Sequence, residues 1–360
     1  MFMKKIFCVT GLGKRSAIRR RYFRALLWRQ RKSQLRGATW RYASLAVRRG
    51  PIEFVRLATP NIISLNNPNA RSELLRFLAK LKLVMLNGDG GALVDFRLTQ
   101  RVHPSGMMLL FAEIDRISRF VANVREMRCR PAENKIVDQV LEQTGVYKRF
   151  NHTAAVATTH ETVIHWRQAT GFKVDGEDAG YMLDKCEGRI AEPLKQGLFR
   201  GVTEAMTNSV HHAYVGERED GTAKGGEKRW WLFSEERDGF LSLVFCDLGI
   251  GIPRSLPKHH TAIRAMLNAF SPDRADVEAI KLASELGKTS TALGNRGKGL
   301  PEILAAARQS DEGSCIIFSN RGQFGFAAGK RAVENQFAGS IYGTLIVWHV
   351  PIAEGSNDVE

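Results

Sequence analysis

Glu204, Asn208 and His212 place a carboxylate, an amide and an imidazole at intervals of four residues. Because residues at i and i+4 lie above one another on a helix, this spacing predicts a polar stripe on a helix that runs from Glu204 to Tyr214. The apolar residues of the stretch fall roughly on the opposite side: Val202, Met206 and Val210. A carboxylate beside an amide could activate a nucleophile and ligate a hard cation. A solvated helix face would show the same pattern, so the downstream segments decide between the two interpretations.

Two glycine-containing segments follow this helix along the chain. Residues 247–251 (DLGIG) come directly after a predicted strand, 241–246, and residues 294–300 (GNRGKGL) open a predicted helix that ends near residue 308. Glycines ahead of a helix N-terminus let backbone N–H groups approach phosphate oxygens, and the helix dipole favours the negative charge. A last predicted strand contains Thr344. This order of segments favours a phosphate-binding site over a solvated helix face.

The same four segments, in the same order, resemble the GHKL family of gyrase, MutL, the ninety-kilodalton heat-shock chaperones, sensor histidine kinases and anti-sigma-factor serine kinases. The resemblance covers about residues 186–351, and the helix from Glu204 to Tyr214 is most similar to the bacterial serine-kinase branch. No histidine-bearing dimerisation hairpin precedes it, which argues against a sensor histidine kinase. The resemblance implies an α/β sandwich, in which helices cover an antiparallel or mixed sheet, with ATP and Mg²⁺ as ligands.

The family's motifs, carried over to this sequence, imply a role for each matched residue. Glu204 would be the general base that takes a proton from a water or from an acceptor hydroxyl. Asn208 would ligate Mg²⁺ through its amide oxygen. Asp247 would accept a hydrogen bond from the adenine amino group, and Thr344 would support Asp247 directly or through a water.

The glycine-containing segments would bind the two ends of the nucleotide. Gly249 and Gly251 would let the adenine base come close. The segment before the last helix would bind phosphate, and Lys298 would add charge where negative charge develops. The matched residues of that segment are Gly294, Gly297, Lys298, Gly299 and Leu300. Residues 254–295 would form a lid with a helix from Asp273 to Leu286, and Lys288 either reaches the γ-phosphate or is solvated.

Residues 51–150 alternate between strand and helix patterns, which predicts an open sheet covered by helices. The predicted strands are 54–57, 92–96 and 124–129, and the predicted helices are 70–85, 105–117 and 135–143. The stretches 94–96 (VDF), 103–107 (HPSGM) and 137–145 (VDQVLEQTG) resemble a STAS domain of the anti-sigma-factor antagonists, which implies a mixed sheet with helices. That family carries two serines before the glycine, the first of which accepts a phosphoryl group. Pro104 occupies that position here, so Ser105 is interpreted as a helix N-cap.

The first 50 residues hold fifteen Lys and Arg and no Asp or Glu, which accounts for nearly all of the net charge of +16. This basic, helix-compatible arm could bind nucleic-acid phosphates through Arg19, Arg20, Arg24 and Arg31. Docking on an acidic protein patch, binding to an anionic membrane surface and service as a transit peptide are the alternatives.

The chain is therefore predicted to be an α+β protein with a basic arm (1–50), a STAS-like domain (51–150), a joint (151–185), a GHKL ATP-binding domain (186–351) and a tail (352–360). Five scattered cysteines without a CxxC pair argue against a zinc site or a disulfide framework. No apolar run is long enough to span a bilayer, so we expect a soluble, cytoplasmic protein.

Three hypotheses for its function follow. The first is an Mg-ATP-binding regulator with ATPase or serine-kinase activity, whose nucleotide state is coupled to the STAS-like domain and to a protein partner. The second is an ATP-driven clamp that forms a nucleotide-dependent homodimer and holds nucleic acid through the basic arm. The third is an interaction module that binds ATP without turnover.

Overall fold

Three β-sheets and eight α-helices make up the part of the chain that the structure describes. The computed structural model describes residues 53–87, 90–121, 126–152, 166–184, 188–221, 228–259, 274–286, 299–308 and 310–353. The helices are α1 (Pro68–Asn87), α2 (Pro104–Val121), α3 (Lys135–Gln143), α4 (Gly176–Asp184), α5 (Glu192–Asn208), α6 (Ile252–His259), α7 (Ala275–Leu286) and α8 (Gly299–Arg308). The strands are β1 (Phe54–Ala58), β2 (Ile62–Ile63), β3 (Gly91–Asp95), β4 (Arg101–Val102), β5 (Met127–Arg130), β6 (Arg167–Gly171), β7 (Trp230–Arg237), β8 (Phe240–Asp247), β9 (Ser314–Ser319), β10 (Gly322–Phe326), β11 (Ala332–Gln336) and β12 (Thr344–Pro351).

A three-stranded sheet of order β1-β3-β5 forms the N-terminal half of the described chain. The alternation of strands and helices predicted for residues 54–143 is confirmed, with every predicted end within four residues of the observed one. The pairs β1–β3 and β3–β5 are both parallel, whereas the STAS-like interpretation implied a mixed sheet. Each strand here is followed by a helix that returns the chain to the same edge, so successive strands run in the same direction.

A seven-stranded sheet of order β11-β10-β9-β12-β8-β7-β6 forms the C-terminal half. All its described strand pairs are antiparallel. Strands β7 and β8 are joined by a two-residue hairpin in which Asp238 and Gly239 both have positive φ, 52° and 74°, as a type I′ turn requires. The edge strand β6 lies inside the range predicted as the joint, so part of that range belongs to the large sheet.

Helices α1 and α2 lie between these two sheets. The rings of Phe111 in α2 and Phe233 in β7 have centroids 5.3 Å apart. Alternate residues of β7 point to opposite faces, so Trp231 and Phe233 join the core around α1 and α2, while Trp230 and Leu232 join a second core beneath α5, α7 and α8. The layers therefore run small sheet, helices, large sheet, helices, and the two halves of the chain share one core.

The start of α2 differs from the prediction. The helix begins at Pro104, a residue favoured at the first helical position, so Ser105 lies inside the first turn and is not the N-cap. The ring of His103 caps the helix instead, because its Nδ1 accepts a hydrogen bond from the Ser105 N–H at 3.2 Å. Burial lowers the pKa of His103 to about 4, which keeps the ring neutral. Ser105 itself is fully buried.

The basic arm, with Arg19, Arg20, Arg24 and Arg31, lies outside the described residues, and its ligands stay predictions. Within the described ranges, no helix combines the length and the apolar character needed to cross a bilayer.

Candidate functional site

Helix α5 carries Glu204 and Asn208 on its half-buried side. Val202 and Met206, on the apolar side, are fully buried against the large sheet and α8, as the apolar stripe predicted. The helix was expected to continue to Tyr214, but after Asn208 it widens into a π-helical turn, Ser209–Ala213. A π turn bonds residues five apart, so the regular α-helical part of the predicted stripe ends at Asn208.

The N-terminus of α8 lies against the side chains of Glu204 and Asn208. A Cβ added at Gly299, the first residue of α8, would lie 2.9 Å from both Glu204 Oε1 and Asn208 Nδ2. A larger residue here would displace the ends of both side chains, so glycine lets α8 begin in direct contact with them. The first N–H groups of a helix have no partner inside the helix and carry partial positive charge. A carboxylate, an amide and a helix N-terminus thus meet at one corner of the molecule.

This corner holds two neighbouring carboxylates and polar atoms without a hydrogen-bond partner among the described residues. Burial raises the pKa of Glu204, and the nearby carboxylate of Glu302 in the first turn of α8 raises it further. The Nδ2 of Asn208 and the Oγ of Ser209 are buried and have no hydrogen-bond partner among the described residues. An unsatisfied buried polar group is costly and calls for a structural or functional reason. Of the two groups, Asn208 Nδ2 lies beside the first residue of α8.

Asp247 ends β8 and is 5% exposed. Its carboxylate accepts a hydrogen bond from the Gly249 N–H at 2.9 Å and another from the backbone N–H of Thr344, its partner across the β8–β12 ladder. Burial outweighs both bonds and raises the pKa of Asp247 to about 7. The hydroxyl of Thr344 lies 3.1 Å from the Ser319 hydroxyl, so Thr344 supports the carboxylate through its backbone.

The glycines of the segment 247–251 are required by contacts within the protein. A Cβ at Gly249 would lie 2.2 Å from the carbonyl oxygen of Ala213. Gly251 has φ +77°, and its Cβ would lie 2.6 Å from the Asn320 side chain. The Ile250 N–H also donates to the Ala213 carbonyl at 2.7 Å. Asp247 is therefore joined, through this turn, to the π-helical turn that follows Asn208.

Part of the predicted phosphate segment is outside the described residues: Gly294, Gly297 and Lys298, together with Lys288 of the lid. Leu300 is described and packs against the core beneath α8. The helix expected at 273–286 is confirmed as α7, which starts two residues later.

Sequence reasoning missed a buried cluster of charged residues beside the turn. Arg218 lies in the loop that begins at Gly216, yet its side chain is fully buried. It is paired with Glu113 of α2 and, at 2.9 Å, with Asp220. Both acids also bind Lys82 of α1, at 2.6 and 3.0 Å. A sequence motif could not reveal this cluster, because Glu113 lies 105 residues from Arg218 in the chain.

Tyr214 was expected only as the end of the helix, but its hydroxyl holds the turn. It accepts a hydrogen bond from the Leu248 N–H at 3.1 Å and donates one to the carbonyl of Arg229. Ser319 holds the residue that follows the turn, because its Oγ accepts a hydrogen bond from the Ile252 N–H at 2.8 Å.

No protein-family model matches the sequence, and no curated protein matches it significantly.

Proposed function

We propose that the chain binds Mg-ATP between α5, the N-terminus of α8 and the turn 247–251. The observation that carries the proposal is the position of Gly299, whose missing side chain leaves the α8 terminus directly against Glu204 and Asn208. A helix terminus with free N–H groups is a ready site for phosphate oxygens. We infer that the phosphates of the nucleotide bind at this corner.

The base would bind at Asp247. A buried acceptor with two backbone donors on it has oxygen lone pairs left for one more donor, which the amino group of adenine can supply. Guanine presents a carbonyl at that position, and two acceptors placed together would leave a buried carboxylate without its partner. The site therefore favours adenine over guanine.

Asn208 fits a role as Mg²⁺ ligand, since its amide is half-buried beside Gly299 at the phosphate corner. An amide oxygen is a hard donor of the kind Mg²⁺ prefers. A bound Mg²⁺ would neutralise charge on the phosphates.

Glu204 would act as the general base. Its pKa is raised above that of an ordinary carboxylate, towards neutral pH, where a general base is most effective. The acceptor would be a water or a hydroxyl of another protein, because the hydroxyl of Ser105, in the STAS-like half, is buried. We propose a cytoplasmic regulator, in which the state of the nucleotide is passed to the N-terminal half of the chain and to a protein partner.

The test is incubation of the purified chain with γ-labelled ATP and Mg²⁺, alone and in lysate. Label should appear as free phosphate or on a partner protein. Asn208→Ala should lose Mg-dependent ATP binding, whereas Gln196→Ala, an exposed amide on the same helix, should bind as wild type. The proposal fails if wild type binds no ATP in the presence of Mg²⁺, or if Asn208→Ala binds it as tightly as wild type.

A further inference from the structure

Two cations of α1 reach from the N-terminal half of the chain towards the turn 247–251. Arg71 and Lys82 are separated by about three helical turns and so project from the same side of α1. Both are buried, with exposed fractions of 1% and 9%. Each of them connects to one carbonyl of the turn: Arg71 through Asn320, and Lys82 through two carboxylates and Arg218.

Lys82 connects to the carbonyl of Leu248. Its Nζ lies 2.6 Å from Glu113 Oε1 and 3.0 Å from Asp220 Oδ2. The same two carboxylates hold the guanidinium of Arg218. Arg218 Nη1 in turn donates to the Leu248 carbonyl at 3.5 Å. Burial alone would raise the pKa of Glu113, but Arg218 and Lys82 hold it below its ordinary value, so the cluster stays ionised.

Arg71 connects to the carbonyl of Ile250. Its Nη2 donates to the carbonyls of Asn320 and Gly339, at 3.3 and 3.1 Å. Its guanidinium carbon lies 4.3 Å from the ring centroid of Phe337, which fixes the plane of the group. The Asn320 side chain then donates from Nδ2 to the Ile250 carbonyl at 3.0 Å.

Leu248 and Ile250 flank Gly249, whose N–H binds the carboxylate of Asp247. A shift of either carbonyl would rotate the peptides of the turn and move that N–H. We propose that Arg71 and Lys82 are positioning residues, which fix the base-binding end of the nucleotide site through Asn320 and Arg218. This inference rests on the proposed function, and it makes the N-terminal half of the chain a determinant of nucleotide affinity and base selectivity.

The two contact chains end at the turn, whereas the phosphate corner is built by Glu204, Asn208 and Gly299. Loss of a positioning residue should therefore weaken ATP and ADP binding by the same factor, about tenfold for one lost buried charge-assisted contact. Affinity for GTP should change little, so the preference for ATP over GTP should fall by a similar factor. A purely structural role would weaken all three nucleotides together.

The variants are Arg71→Met and Glu113→Gln. Their matched controls are Arg76→Met and Glu73→Gln, which make the same changes at exposed positions of α1. Calorimetry measures the Kd for ATP, ADP and GTP, and hydrogen exchange without nucleotide measures protection of the amides of Gly249 and Ile250. We expect about tenfold weaker ATP and ADP binding, unchanged GTP binding and faster exchange at both amides, with wild-type values in the controls.

Wild-type affinities and wild-type exchange in both folded variants would overturn the inference, and so would equal losses for ATP and GTP. If the wild-type chain binds no nucleotide, the proposed function fails, while the exchange of Gly249 and Ile250 still decides whether the two cations hold the turn. If Glu113→Gln does not fold, Lys82→Gln takes its place, because it removes the α1 cation from the same chain of contacts. The same nucleotide affinities and amide exchange rates are then measured for Lys82→Gln.

Discussion

Replacing Asp247 by Asn should stabilise the protein increasingly as the pH rises. The carboxylate has a pKa of about 7 in the folded protein against an ordinary value of 3.8. The folded state therefore holds its proton more tightly than the unfolded chain does. The resulting destabilisation is absent below pH 3.8, grows between about pH 4 and pH 7, and is complete above pH 7. Asn cannot ionise, so it removes this dependence.

The size of the effect follows from the two pKa values. The difference between about 7 and 3.8 corresponds to about 4 kcal/mol of unfolding free energy at pH 8. Asn keeps an oxygen that can accept the Gly249 N–H, but its amino group cannot accept from Thr344, which costs about 1 to 2 kcal/mol at every pH. The test therefore compares the unfolding free energies of Asp247→Asn and wild type, and asks how the difference between them changes with pH.

Urea unfolding of both proteins at pH 4.5, 6 and 8, followed by tryptophan fluorescence, measures this change. Asp238→Asn is the control, because its carboxylate is exposed in a turn and Asn tolerates its positive φ. A stability difference that is the same at pH 4.5 and pH 8 would refute the argument from burial. Asp247→Asn should also bind ATP at least about tenfold more weakly than wild type, because the charged acceptor for adenine is gone.

Three further predictions concern the proposed site. Gly299→Ala places a Cβ 2.9 Å from Glu204 and Asn208, so calorimetry should show greatly reduced ATP binding while circular dichroism shows an intact fold; unchanged affinity would mean that nucleotide does not bind at this corner. Glu204→Gln should retain ATP binding but lose about 10²- to 10⁴-fold in phosphate release or transfer, and normal turnover would exclude Glu204 as the base. In wild type, ATP affinity should rise with pH and level off above about 7, where Asp247 is ionised; a flat profile between pH 5.5 and 8 would contradict the proposed contact with adenine.

Local sequence signals were sufficient for much of the fold. Helix α3 lies where it was predicted, because the side chain of Asn134 accepts from the N–H groups of Ile136 and Val137 at its start and Gly145, with φ +69°, follows its end. The turn between β7 and β8 likewise depends on a local pair, Asp238 and Gly239, which is typical of two-residue hairpins. Such features depend on neighbouring residues only, so their patterns are visible in the sequence.

The rest depended on contacts between distant segments. The π-helical turn after Asn208 packs against Gly249 and Ile250, and no helix propensity predicts that widening. Arg218 lies in a loop, and no local pattern indicates its burial, because its partner Glu113 lies on a helix of the other half of the chain. The parallel order of the small sheet also depended on how α1 and α2 cross it, which the alternation of patterns alone does not fix.

Helices α1 and α2 are held between two sheets, and this arrangement has a consequence for the proposed regulatory function. A regulator that is a separate protein acts only at concentrations near its dissociation constant and leaves on dilution. Here α2 covers β7 and β8 from within the same chain, so the local concentration of this surface is set by chain connectivity and does not depend on expression level. An outside partner would have to bind elsewhere on the molecule, because the face of β7 and β8 that α2 covers is already occupied.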